Sequence, residues 1–142
     1  MITQSQKGIK FTGMTAIRPA TDEVKPGAVA IIACSGMEPA QIDLALAKMF
    51  GDVKVAPTRI KRAKPTMWLP MFRLARKRWI RRHADGGHVI LLTHRSCAND
   101  HTDFPKFGDG CGRLWRCMGS ANREMKHWFR HDNIQFAAYS LD

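Results

Sequence analysis

Two stretches of continuous hydrophobicity stand out along the chain, "GAVAIIACS" at 27–35 and "HVILLTH" at 88–94. Both are short, and both lack the alternation expected of a strand with one face in water. Such runs fit strands covered on both sides, as in a parallel sheet flanked by helices. Between them, "PAQIDLALAKMF" at 39–50 sets Ile42, Leu46, Met49 and Phe50 at helical spacing, with Pro39 in the first turn and Gly51 as a stop. Ser35 and Glu38 imitate a capping box, but that register puts Pro39 where a backbone N–H is required, so the box is rejected.

Further elements follow from the same patterns. "VKVAP", 53–57, predicts a short strand ended by Pro57. The segment 64–83 predicts a helix beginning near Thr66 or Pro70. Trp68, Phe72, Ala75 and Trp79 form its apolar stripe, joined by Leu69 and Ile80, and "DGG" at 85–87 ends it. Another helix is predicted over 113–131, with Leu114, Met118, Ala121, Met125, Trp128 and Phe129 on one side and a break at Gly119-Ser120. "IQFAAYSL", 134–141, reads as a closing strand, and "GIKFTGMTAIR" near the start as one more.

Alternating strands and helices predict an α/β fold: a single small domain over 1–142, its mostly parallel sheet flanked by about three helices. A ferredoxin-like α+β sheet is the alternative, because so short a second strand fits an edge. At 142 residues, 44% apolar and 25% charged, the chain can bury a core without disulfides. No apolar run approaches the roughly 18 residues of a membrane span. The first residues lack a basic start followed by an apolar stretch, so the expected location is the cytoplasm, with four reduced cysteines.

Charge changes this picture. The formal net charge is +11, and its distribution is uneven. Between Val53 and Ala84 lie eleven cations and no acid: Lys54, Arg59, Lys61, Arg62, Lys64, Arg73, Arg76, Lys77, Arg78, Arg81 and Arg82. The other 110 residues carry twelve cations and twelve acids, so the whole excess belongs to one segment. Clustered Arg and Lys suit a partner rich in phosphate, since charge for solubility alone need not be concentrated. The tryptophans and phenylalanine interleaved with them sit at core-packing spacing. Nucleic acid is the first candidate partner. An acidic protein comes second, and an anionic membrane surface third, because the helix's apolar stripe is expected to cover the sheet.

Chemistry-bearing residues concentrate elsewhere, in "THRSCANDHTDFPKFGDGCGRLWRC" at 93–117, most of which is a connection of roughly 17 residues between the strand at 88–94 and the next helix, longer than the usual limit of about 12–15. His94, Cys97, His101, Cys111 and Cys117 offer ligands for zinc, although their spacing departs from the close Cys-x2–4-Cys knuckle. A catalytic alternative starts from position. Cys34 and His94 end the two buried strands, where parallel sheets bind ligands. The helix after Cys34 would favour its thiolate, while His94 or His101 would move protons with Asp100 or Asp103 orienting the ring. In "GDGCGRLWR", backbone N–H groups beside Arg113 and Arg116 would bind an anion. Plain core packing of the thiols competes with both readings.

The sequence thus predicts a polyanion-binding domain acting on RNA or DNA through 59–82. The alternatives are a small enzyme acting on a phosphorylated or nucleotide-like substrate at Cys34, His94 and the 100–116 loop, and an adaptor or inhibitor docking on an acidic protein.

Overall fold

The two continuous apolar runs become the centre of the sheet. The structure, a computed structural model, describes residues 13–34, 36–63, 70–94 and 133–142. In it β1 (Met14–Arg18) precedes β2 (Val29–Ala33), α1 (Pro39–Phe50) and β3 (Ile60–Arg62), followed by α2 (Arg73–Ala84), β4 (His88–His94) and β5 (Gln135–Leu141). Single 3-10 turns at Pro57–Arg59 and Pro70–Phe72 lead into β3 and α2. Every residue of β2 is buried, and it pairs in parallel with β4 from Val29 opposite His88 to Ala33 opposite Leu92. Each Ile, Leu or Val removed from water there contributes roughly 1.5–3 kcal/mol, enough to fix which strands lie centrally.

The order is β1-β5-β4-β2-β3, with β1 alone antiparallel, against β5. Four adjacent parallel strands exclude the ferredoxin-like alternative, whose sheet is antiparallel. The described residues therefore form one small α/β domain with a five-stranded mixed sheet and two α-helices. The helix predicted over 113–131 lies outside the described residues.

Connection geometry places the helices. The chain steps outward from β2 to β3 and then returns across β2 to β4, so right-handed crossovers put α1 and α2 on opposite faces. Lys61, opposite Ile32, holds its ammonium 5.2 Å from the Trp79 ring centre, which identifies the face under α2. By strand alternation that face also carries Ala30, Val89, Leu91 and Thr93. Ile31, Ile90, Ala137 and Tyr139 face the other way, towards the side of α1, whose buried residues are Ile42, Ala45 and Met49.

α1 has the predicted bounds. Its N-cap is Glu38, whose backbone N–H donates to Gln41 Oε1 at 2.8 Å, with Pro39 in the first turn. Gly51 ends the helix at φ 64°, its N–H donating to the Ala47 carbonyl at 2.8 Å. The predicted strand at 53–57 is not formed. Val55 is buried, but Val53 is exposed, and the ladder begins only at Ile60, because the register with Ile31–Ala33 falls on Ile60–Arg62. α2 also departs from its expected stripe. Its buried residues are Arg76, Ile80 and Ala84, one position round the helix from Phe72, Ala75 and Trp79. One position is a rotation of about 100°. Arg76 therefore packs inward, while Phe72 and Ala75 are exposed and Trp79 is half-buried.

Candidate functional site

The carboxyl ends of β2 and β4 meet where the strand order reverses, with β3 outside one and β5 outside the other. Doubly wound sheets bind ligands at this position. Cys34 continues the β2 ladder there, its N–H donating to the Leu92 carbonyl at 2.8 Å. Its thiol is fully buried, and the Thr93 hydroxyl lies 3.5 Å from the sulfur as a donor. Thr93 in turn stands opposite Ser140 of β5, so three small polar side chains line up across three strands, all buried.

His94 is not part of that row. Successive residues of a strand point to opposite faces, and Thr93 shares its face with Cys34. The imidazole therefore leaves the sheet on the other side, and the structure does not bring Cys34 and His94 together. Asp100, His101, Asp103, Arg113 and Arg116 lie outside the described residues, as do Cys97, Cys111 and Cys117. Of the zinc set, only His94 is described. Among the described residues no group of three or more His, Cys, Asp or Glu is arranged to hold a metal ion.

The basic segment is folded into a two-element surface. Among the described residues β3 is an edge strand, and α2 lies beside it over one face. Lys61 and Arg62 on β3 and Arg73, Arg78, Arg81 and Arg82 on α2 are exposed; Arg59 and Lys77 are half-buried. Lys64 lies outside the described residues, and Arg76, expected to point outward, is only 7% exposed. Two of the arginines brace the fold. Arg59 Nη1 donates to the Pro26 carbonyl at 3.0 Å, and Arg62 Nη1 to that of Met37 at 2.6 Å.

Trp79 joins the two elements. Its indole N–H donates to the Thr58 carbonyl at 3.1 Å, Lys61 sits over its ring, and His83 meets it edge-on at 5.5 Å. Partial burial lowers the His83 pKa, and the nearby charges of Arg82, Arg59 and Lys61 lower it further. Cations from β3, its leading turn and α2 thus act on one point. Along α2, Arg73–Lys77, Lys77–Arg81 and Arg78–Arg82 are like-charge neighbours four residues apart, together costing about 1 kcal/mol. Arg81, Arg82 and His83 recover some of this by lying in the last turn, where the helix dipole favours cations.

Two features escape sequence reasoning. His88, at the amino end of β4, is 2% exposed, and neither ring nitrogen has a hydrogen-bond partner among the described residues. A polar residue heading an apolar run gives no sign of this. The second is the leading end of α2, where Met71 and Leu74 are exposed instead of covering the sheet.

No protein-family model, curated protein or solved structure matches the chain.

Proposed function

We propose that the chain binds a polyanion, RNA or DNA, through the basic face formed by β3 and α2. One observation carries the reading. Lys61 and Arg62 of β3 and Arg73, Arg78, Arg81 and Arg82 of α2 are exposed on two elements joined through Trp79, on a segment without a single acid. An anionic partner would relieve the repulsion among these cations, and Arg suits it because guanidinium forks bind phosphate oxygens in pairs. Trp79 serves as a spacer rather than a stacking platform, since Lys61 already covers its ring.

Titration of an oligonucleotide at several salt concentrations tests the proposal. Affinity should fall steeply with salt. Replacing Lys77, Arg78, Arg81 and Arg82 by Gln should flatten the log–log slope by about 0.9 for each phosphate no longer neutralised. Absence of binding near physiological salt would overturn the proposal, and tight association with an acidic protein instead would make the chain an adaptor. The strand order favours a second reading, a small enzyme taking a phosphorylated or nucleotide-like substrate at the carboxyl ends of β2 and β4. Cys34 enters that reading as a lining group, and His94 as its candidate proton carrier. Turnover of such a substrate that is lost in His94→Ala would support it.

A further inference from the structure

The outward face of α2 changes character along its length. Met71, in the 3-10 turn that leads into the helix, and Leu74, three residues on, are 78% and 61% exposed, with Phe72 between them at 43%. Continuing along the same side come Lys77, Arg78 and Arg81, while Arg76, Ile80 and Ala84 occupy the buried side. Met71 and Leu74 are therefore not a slipped core stripe. They form a projecting tip, flanked by the partly exposed Phe72 at the head of the buried row, with Arg73 inside it and a cationic collar behind it.

Scattered apolar side chains on a surface are ordinary, but three within four residues at the leading end of a helix whose charges are all cationic are not. From this arrangement we infer that the leading end of α2 docks on an anionic lipid surface. Met71, Phe72 and Leu74 would enter the boundary between headgroups and acyl chains, and Arg73, Lys77, Arg78 and Arg81 would meet lipid phosphates. Charge complementarity selects this occupant. Long flexible side chains such as Met and Leu suit fluid hydrocarbon, and the collar needs a surface of negative charge around the point of entry. The inference shares its cations with the polyanion-binding reading but stands on the apolar tip, which that reading does not use.

Sedimentation of the full chain with vesicles of phosphatidylcholine, alone or mixed with phosphatidylserine, tests it. Binding to the mixed vesicles and not to phosphatidylcholine alone is expected. The double variant Met71→Ser, Leu74→Ser should weaken vesicle binding at least tenfold. Its melting temperature and oligonucleotide affinity should stay unchanged. Unaltered vesicle binding by this variant would overturn the inference. So would a lowered melting temperature, which would show the tip packed within the protein, or a matching loss of oligonucleotide affinity, which would assign the tip to nucleic acid. A dimer dissolved by the same substitutions would instead make a second copy the occupant. Binding of the unmodified chain to mixed vesicles but to no oligonucleotide would remove the nucleic-acid reading and leave this one standing.

Discussion

The Thr93 hydroxyl lies 3.5 Å from the Cys34 sulfur, on the face of the sheet that His94 does not share. A thiol so placed has no base beside it from β4 and no exposure to a reagent. Cys34 should accordingly be alkylated only as fast as the protein opens, and labelling should speed up in proportion as denaturant raises the unfolded population. Peptide mapping after a brief pulse separates Cys34 from the other three cysteines. Rapid labelling of Cys34 in native protein would instead support it as a nucleophile.

His88 makes stability depend on pH. Burial holds its pKa below the ordinary 6.5, against a smaller opposing pull from the Asp22 carboxylate. The native protein therefore keeps the ring neutral at a pH where the unfolded chain has already taken up a proton. Its contribution to stability is complete above about pH 6.5 and declines as pH falls towards the lowered native value. Melting temperatures should drop as pH falls below about 6.5. His88→Leu, which removes the titrating group but keeps most of the volume, should flatten part of that slope. Parallel curves for the two proteins would show that His88 is not responsible.

Arg78→Glu should separate stability from binding. The change replaces a like-charge neighbour of Arg82 by an opposite one, worth about 0.5–1 kcal/mol on an exposed helix at low salt. A slightly higher melting temperature with weaker oligonucleotide binding is expected. Improved stability with unchanged binding would place the polyanion elsewhere.

Gly87 and Gly86 should behave very differently. A Cβ on Gly87 would overlap the Ala28 carbonyl, the group that accepts the His88 N–H at 3.0 Å, so Gly87→Ala must push β4 away from the loop before β2. A loss of about 3 kcal/mol or failure to fold is expected. Gly86 has open space and a φ of 70°, so Gly86→Ala should cost only about 1–2 kcal/mol. Chemical denaturation of the two variants gives the comparison.

Substituting Tyr139→Phe should cost about 1–3 kcal/mol. Its hydroxyl accepts the Ala20 N–H at 2.8 Å in a buried setting, and the substitution leaves that N–H without its acceptor. An equilibrium unfolding curve that coincides with wild type would mean that the Ala20 N–H finds another acceptor.

Where an element has punctuation at both ends, the sequence reveals its bounds. Pro39 and Gly51 delimit α1, and Gly87 marks the start of β4, since each acts through local backbone preference. β3 carries no such mark. Ile60–Arg62 reads as part of a charge run, and only the register on β2 makes it a strand. The buried face of α2 is hidden in the sequence because an arginine is not counted as apolar, although its long carbon stem packs well against a sheet. Cys34 and His94 do stand at the carboxyl ends of their strands. Their separation onto two faces depends on how β2 and β4 align, which neither strand encodes alone.

The pairing of β1 with β5 has a kinetic consequence. Among the described residues β5 is the only strand neighbour of β1, and Met14 stands opposite Leu141, so the sheet closes between residues over 120 positions apart. β5 must also slot between β1 and β4. Until it does, β4 presents an open edge and β1 has nothing to pair with. Closing so long a loop before any pairing rewards it slows the search, and the half-built sheet is the species most prone to join another chain. Folding yield should thus be limited by how quickly residues 135–141 find their slot, and dilute conditions should favour the native sheet over aggregates.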